Sequence, residues 1–180
     1  QRHSCQTATE VTYNVIDRAD NPTLSIGLVD QSAAFDKMIR ERCWEIMIEL
    51  GLPKCFVSKL RDGHLQTMVQ NSIGESKGQF ICIDKGCFQG SSLSPTLFII
   101  YTSALNREFE NICEERGYQS ISLCHNTPRK GYEDVCSVIT DKHSSQIRII
   151  SYADDTTIFA NSPEELTELI ILYQQLAKKY

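Results

Sequence analysis

Three aspartates in the sequence have the chemistry and the spacing to hold divalent cations. Asp154 and Asp155 are adjacent and lie between two apolar, β-like segments. Adjacent carboxylates repel each other unless a cation neutralises them. Asp30 ends another apolar run, at the position where strands of an open sheet often present side chains to a ligand. If that strand lies beside the later pair, the three carboxylates converge.

Such a cluster suits Mg²⁺, a hard cation that takes oxygen ligands and keeps positions open for water and substrate phosphates, with Mn²⁺ as a substitute. Two ions about 4 Å apart stabilise the attacking and leaving oxygens of a phosphoryl transfer. Addition of a nucleotide to a primer is a reaction of this kind. Simpler interpretations stay open, because Asp favours hairpin turns and a strand-terminal Asp often caps the next helix.

The elements that must position these acids follow from apolar spacing and capping residues. Helices are predicted over residues 6–19, 37–50, 53–61, 95–116 and 163–180. Strands are predicted over residues 25–29, 65–73, 79–84, 147–152 and 156–160. Together they predict an α+β fold, in which a small antiparallel sheet carries the acids on one edge and the helices of residues 37–50, 95–116 and 163–180 lie behind it.

Single residues mark where these elements begin and end. Gly51 is expected to end the second helix, whose core-facing side chains are Met38, Trp44, Met47 and Ile48. The segment Gly74–Gly78 is expected to form the turn of the first hairpin. Ser162 and Glu165 form a capping-box pattern at the start of the last helix. The turn of the last hairpin is expected to carry both Asp154 and Asp155.

Residues 118–147 are polar, with little periodicity, and are interpreted as a surface insertion. This stretch raises the alternative of a zinc module, because it contains or borders several possible ligands. The spacing of these ligands is wide, without the close pairs typical of structural zinc sites. They are Cys113, Cys124, His125, Cys136 and His143.

Composition places limits on the class of protein. The 180 residues are 41% hydrophobic and 23% charged, as in an ordinary globular domain. No apolar run is long enough for a membrane helix, and the eight cysteines include no CxxC pair, which favours reduced, mostly buried thiols. The net charge of −5 counts against strong binding to a phosphate backbone. The missing initiator Met predicts an internal piece of a longer protein.

Three segments carry a resemblance to a known family. Tyr152-Ala153-Asp154-Asp155 resembles the Tyr/Phe-x-Asp-Asp signature of reverse transcriptases. The segment Asp30–Asp36 resembles the upstream motif of their palm region, and Gln89–Pro95 resembles their Gln-Gly-x-x-x-Ser-Pro motif. The three occur in the order that the family has, so the chain resembles the palm region of a reverse transcriptase.

The resemblance implies a role for each matching residue. The three aspartates would bind two metal ions. Phe35 would lie beneath the sugar of the incoming nucleotide and exclude a 2′-hydroxyl by steric repulsion. The nucleotide pocket would also include Gln89, Gly90 and Tyr152. From residue type alone, Phe35 fits a core aromatic, Asp36 a helix cap, and Gln89–Ser94 a turn.

The branch of the family is indicated by Ala34-Phe35-Asp36, Gly51-Leu52-Pro53 and Ser94-Pro95, which are most similar to non-LTR retrotransposon reverse transcriptases. Ala33 departs from that branch, where relatives commonly carry a polar or basic residue. The implied division is the end of the fingers at residues 1–24, palm at 25–117, the insertion at 118–147, and the palm hairpin and helix at 148–180, with no thumb.

The resemblance implies an RNA-directed DNA polymerase that adds deoxynucleotides to the 3′-hydroxyl of a DNA or RNA primer on an RNA template. Flanking fingers, thumb and an endonuclease domain are expected in the parent protein, which would act in the nucleus or cytoplasm of a eukaryotic host and not be secreted. Without the basic grip of fingers and thumb, the isolated chain is expected to polymerise poorly. The alternatives are a degenerate mobile-element remnant without catalysis, and a nuclease or nucleotide cyclase.

Overall fold

The structure is a computed structural model that describes residues 5–19, 21–31, 33–65, 67–87, 91–123 and 145–180. The helices in these residues are α1 (Cys5–Arg18), α2 (Ala34–Lys37), α3 (Arg40–Glu49), α4 (Lys54–His64), α5 (Ser94–Glu115) and α6 (Pro163–Lys179). The strands are β1 (Ser25–Asp30), β2 (Met68–Ile73), β3 (Ser76–Cys82), β4 (Ile121–Leu123), β5 (Ser145–Ile147), β6 (Ile149–Tyr152) and β7 (Asp155–Ala160). Helices and small antiparallel sheets occur together, as expected for an α+β chain. Among the described helices, none is long and apolar enough to cross a membrane.

The chain forms two compact units. The first contains Gln1–Asp30 and Glu108–Lys178, and the second contains Gln31–Arg107 and Lys179–Tyr180. Each has its own buried apolar residues. In the first unit these include Val15, Phe109, Ile121, Ile158, Phe159, Leu169 and Tyr173. In the second they include Met38, Cys43, Trp44, Ile46, Met47, Val57, Leu97, Phe98 and Leu105.

A three-stranded antiparallel sheet in the order β1-β7-β6 organises the first unit. One face of this sheet packs against α6. Gly27 of β1 lies close to α6, since a Cβ at this position would be 2.8 Å from Ile170 Cδ1. On the same face, the buried Thr156 and Tyr173 hydroxyls are 3.2 Å apart. The other face packs against α1 at one end, where Val15 and Phe159 form a core cluster.

The predicted start of α6 is confirmed. The backbone N–H of Glu165 donates to Ser162 Oγ at 3.2 Å, as in a capping box. The Glu165 carboxylate accepts a hydrogen bond from the backbone N–H of Asn161 at 2.9 Å, one residue earlier than the usual partner. The helix is therefore fixed at the end of β7, where its apolar face meets the sheet.

The ends of the 118–147 segment are more ordered than the sequence predicted. β4 and β5 pair as an antiparallel ladder, with Ile121 opposite Ile147. Ile121 is buried in the same cluster as Val15 and Phe159. The buried Ile121 side chain therefore anchors β4 to the core of the first unit. The polar composition of residues 118–147 had predicted an irregular surface insertion instead. Residues 124–144 lie outside the described part of the chain.

In the second unit, the helix predicted over residues 37–50 begins later, at Arg40, and a separate short helix, α2, precedes it. α2 ends at Lys37, and Met38 and Ile39 have extended backbone before α3 begins. The Met38 carbonyl accepts from the Gly86 N–H at 2.8 Å. Ile39 N–H donates to the Tyr101 hydroxyl at 3.3 Å. These tertiary bonds stabilise the interruption.

Two other details of the second unit correct the sequence prediction. Ile48 was expected in the core, but it is 39% exposed, whereas Met38, Trp44 and Met47 are buried as predicted. The hairpin turn was expected to span Gly74–Gly78. Instead Ile73 pairs with Ser76, which leaves Gly74 and Glu75 as a two-residue turn. Gly74 has φ +61°, a conformation that suits this tight turn.

Candidate active site

The register of the first unit's sheet brings two of the predicted acids side by side. β1 runs antiparallel to β7, and Asp30 lies directly opposite Asp155. Residues in such positions have Cα atoms about 4.5–5.5 Å apart and point to the same face. Tyr152 on β6 lies opposite Asp155 on its other side. Asp30, Asp155 and Tyr152 therefore form a row across one end of the sheet.

Asp154 lies next to this row, in the two-residue turn between β6 and β7. The sequence predicted both acids on the turn, and this is corrected for Asp155, which is the first residue of β7. The first turn residue, Ala153, has φ +54°. A positive φ is unusual for alanine, and such strained positions are often found at functional sites.

The acids supply the oxygen ligands that Mg²⁺ prefers. Asp30 and Asp155 are exposed at the sheet end, and Asp154 is half-buried. Among the described residues, no three His, Cys, Asp or Glu side chains lie close enough together to hold an ion as they stand. The backbone thus aligns two carboxylates and places the third on the adjoining turn, and the side chains would have to turn inward to share a cation.

The acid-bearing face of the sheet continues into an apolar groove. Residues alternate between faces along a strand, so Ile26, Leu28 and Asp30 share one face. Leu28 is 80% exposed. With Tyr13 and Ile16 of α1, it lines a groove of about 680 Å³ that reaches Asp30, Tyr152 and Asp155.

Sequence analysis missed the contribution of α1 to this surface. The signal was the exposed side of the helix, where Tyr13 and Ile16 are apolar although they lie outside the buried stripe of Val11 and Val15. An apolar patch next to carboxylates is a feature of binding sites more than of ordinary protein surface.

The strain at Ala153 leads to a stability prediction. A left-handed backbone costs an L-residue other than glycine about 1–2 kcal/mol, and glycine in a folded chain loses about 0.5–1 kcal/mol through its greater unfolded entropy. Ala153→Gly is therefore expected to raise the free energy of unfolding by about 0.5 kcal/mol. Chemical denaturation followed by circular dichroism measures the change.

The matched control is Ala104→Gly, in the middle of α5. Because Ala104 is helical, the same substitution there is expected to lower the free energy of unfolding by about 0.5–1 kcal/mol. Equal destabilisation by the two substitutions would contradict the strain assigned to Ala153.

The other predicted site residues belong to the second unit. Phe35 lies in α2, and its half-buried ring stacks on Phe98 of α5 with centroids 4.2 Å apart and an interplanar angle of 18°. Ala33, immediately before α2, has φ +56°. Gln89 and Gly90, predicted at the edge of the nucleotide pocket, lie outside the described residues.

The zinc alternative has little support from the one described member of its ligand set. Cys113 is fully buried, and burial raises the pKa of its thiol to about 11. Among the described residues, Cys113 belongs to no group of three or more possible metal ligands. The other four proposed ligands, residues 124, 125, 136 and 143, lie outside the described part of the chain.

A protein-family model matches almost all of the chain. The family model described as reverse transcriptase (RNA-dependent DNA polymerase) matches residues 4–180. The match therefore includes β1 and the β6–β7 hairpin, which carry the three acids, and α2 with Phe35. No curated protein matches the chain.

Proposed function

The chain belongs to the reverse transcriptase (RNA-dependent DNA polymerase) family, and on that premise we propose that it is the palm region of such an enzyme. In this proposal the chain catalyses nucleotidyl transfer from a deoxynucleoside triphosphate to a primer 3′-hydroxyl on an RNA template. Asp30, Asp154 and Asp155 are the proposed catalytic carboxylates.

The single observation that carries the proposal is the register of β1 on β7. Strands from opposite ends of the family match bring Asp30 opposite Asp155, beside the turn that holds Asp154. A chain that needed acids only as turn or cap residues would have no reason to align them at one end of a sheet. Ile26 of β1 and its partner Phe159 of β7 belong to one apolar cluster, so packing supports this register.

Asp30, Asp154 and Asp155 would hold two Mg²⁺ ions, or Mn²⁺ in their place. When bound, these ions would stabilise the attacking and leaving oxygens of an in-line phosphoryl transfer. The chain's own contribution is to hold two carboxylates on the paired strands β1 and β7 and to keep Asp154 beside them through the Ala153 turn, whose φ is positive. Positioning of this kind is the main catalytic task of a protein in phosphoryl transfer.

Contacts with the nucleotide and the nucleic acid strands are assigned to neighbouring residues. Tyr152 and the exposed Leu28 offer an apolar surface next to the acids, suited to bases and sugars. Phe35 is proposed to select deoxynucleotides by clashing with a 2′-hydroxyl. Gln89 and Gly90 are proposed to line the nucleotide pocket, as their motif implies.

The biological setting is proposed from the same motifs. The segments around Phe35, Gly51 and Pro95 are most similar to non-LTR retrotransposon reverse transcriptases. The net charge of −5 means that basic flanking fingers and thumb would supply most of the grip on template and primer. The isolated chain is then a weak polymerase.

Primer extension tests the proposal directly. The 180-residue chain, supplied with an RNA template, a DNA primer, deoxynucleotides and Mn²⁺, is expected to add nucleotides slowly and only when the divalent cation is present. Incorporation that persists in excess chelator would contradict the assigned role of the acids. Robust, processive synthesis would contradict the proposed need for flanking domains.

A catalytically dead mobile-element remnant is the second candidate, and one observation favours it. The described acidic side chains do not form a ready-made ion site. Mn²⁺ binding, followed by water-proton relaxation, separates the two candidates. An active palm is expected to lose Mn²⁺ affinity in Asp154→Ala, whereas a remnant would bind Mn²⁺ equally weakly in both chains.

A further inference from the structure

In the second unit, the segment Ile83–Cys87 lies against the short helix that carries Phe35. Cys87 N–H donates to the Phe35 carbonyl at 2.9 Å, and Gly86 N–H donates to the Met38 carbonyl at 2.8 Å. One bond reaches into α2 and the other reaches the residue that ends it. The backbone of α2 is therefore fixed at two points by this segment.

Gly86 approaches α2 more closely than any residue with a side chain could. A Cβ at position 86 would lie 2.7 Å from the Asp36 carbonyl oxygen and 2.8 Å from both Asp36 Cα and the Phe35 carbonyl oxygen. These are backbone atoms, which cannot rotate out of the way. Gly86 also has φ +73°, which favours glycine.

Arg40 holds the segment from its other side. Its side chain is 7% exposed. Nε donates to the Gly86 carbonyl at 2.6 Å, and Nη2 donates to the Lys85 carbonyl at 3.1 Å. Nη1 donates to the Ile83 carbonyl at 3.0 Å and to the His64 carbonyl at 3.1 Å. The planar guanidinium thus ties the segment to the end of α4, a task for which lysine lacks the donors.

The Phe35 ring is held on a second side. It stacks on Phe98, which is fully buried in α5. The ring is therefore confined by Phe98, while its backbone is confined by Gly86 and Cys87.

We propose that Gly86, anchored by Arg40, is a positioning residue for sugar selection, because it sets the distance of the Phe35 ring from the 2′ position of the incoming nucleotide. This inference rests on the proposed function, in which Phe35 excludes the 2′-hydroxyl. Repulsion rises steeply as two atoms come closer than van der Waals contact, so a shift of a few tenths of an ångström in the ring changes how strongly a ribonucleotide is rejected.

The test is the preference for deoxynucleotides over ribonucleotides in Gly86→Ala, measured by single-nucleotide primer extension with Mn²⁺. The added methyl group forces the α2 backbone to move, and the preference is expected to fall by roughly tenfold. Phe98→Leu, which removes the ring stack without altering Gly86, is expected to lower the preference in the same direction. If the Gly86→Ala chain does not fold, the Phe98→Leu variant still tests whether the position of the Phe35 ring sets the preference for deoxynucleotides.

Gly117→Ala is the matched control. Gly117 has φ +77°, close to that of Gly86, but a Cβ there would meet nothing within 4 Å. Gly117→Ala introduces the same backbone strain without the collision. Its preference for deoxynucleotides over ribonucleotides should therefore equal that of the unsubstituted chain. An unchanged preference in Gly86→Ala, or an equal fall in Gly117→Ala, overturns the inference.

A second readout separates this inference from the proposed function. The aromatic NMR resonances of Phe35 report its packing without any catalysis, and they are expected to shift in Gly86→Ala but not in Gly117→Ala. If the unsubstituted chain adds no nucleotide, the proposed function fails and these resonances alone decide whether Gly86 positions Phe35. Unshifted Phe35 resonances in Gly86→Ala would overturn the positioning role.

Discussion

Asp154→Asn is expected to lower the rate of primer extension at least roughly 100-fold, the loss typical when one preorganised electrostatic group is removed from a reaction centre. Asparagine keeps the shape of the side chain but lacks the negative charge that would hold a cation. Asp30→Asn should have an effect of similar size, because the two carboxylates are proposed to share the ions. Single-turnover incorporation at saturating deoxynucleotide measures the chemical step.

Asp62→Asn is the matched control for this prediction. Asp62 is exposed on α4, and the same loss of charge there should leave incorporation unchanged. Denaturation curves of Asp30→Asn and Asp62→Asn should agree with that of the unsubstituted chain, since both residues are exposed and surface changes rarely alter stability by more than about 0.5 kcal/mol. The curve of the half-buried Asp154→Asn shows whether its loss of activity is separate from a loss of stability. Full activity in Asp154→Asn would remove the proposed catalytic centre.

Phe35→Val is expected to raise the use of ribonucleotides relative to deoxynucleotides by roughly 10- to 100-fold, which corresponds to about 1.4–2.7 kcal/mol of lost discrimination. The reason is steric, because valine lacks the ring that would meet a 2′-hydroxyl. The measurement is the ratio of kcat/KM for UTP and dTTP on one template.

Loss of packing must be separated from loss of selection. Phe35 stacks on Phe98, so Phe35→Val also removes core contacts and should lower the free energy of unfolding by about 1–3 kcal/mol. Phe56→Val makes the same chemical change at a 49% exposed position of α4 and should alter neither quantity. If Phe35→Val slows the use of both nucleotides equally, Phe35 is a structural residue only.

The sequence was sufficient to predict β1 and its terminal Asp30, because a short apolar run that ends in a charged residue is a strong local signal. The sequence also predicted α6, because Ser162 and Glu165 form the capping box at its start. Both elements are encoded by neighbouring residues. The pairing of β1 with β7 could only be supposed, since no local pattern specifies which distant strand is the partner.

The failures have a common physical cause. Asp155 was assigned to the turn because nothing in Ala153 predicts a positive φ, and turns of this kind usually contain glycine or asparagine. The interruption between α2 and α3 contains no glycine or proline. It is stabilised by the Gly86 N–H and the Tyr101 hydroxyl, which come from distant parts of the second unit. Tertiary contacts of this kind override local propensity.

Arg40 is a residue near the candidate site whose role also depends on tertiary contacts and could not be predicted from the sequence. From the sequence it is one charged residue in a helix, where exposure is the usual expectation. In the structure it is buried and donates to carbonyl groups of four residues, three of them in the segment that supports α2. This role depends on where the backbone of other elements lies in the fold. The spacing of residues along the sequence and the composition therefore cannot predict it.

The ladder between β1 and β7 also has a kinetic consequence. Its two strands are separated by more than half of the chain, so the ladder forms only after a long loop has closed and the associated entropy has been lost. Chains with many pairings of such large sequence separation fold slowly. Asp30 and Asp155 therefore lie side by side only once this distant pairing has formed, and in a partly unfolded molecule that lacks it the two carboxylates are apart.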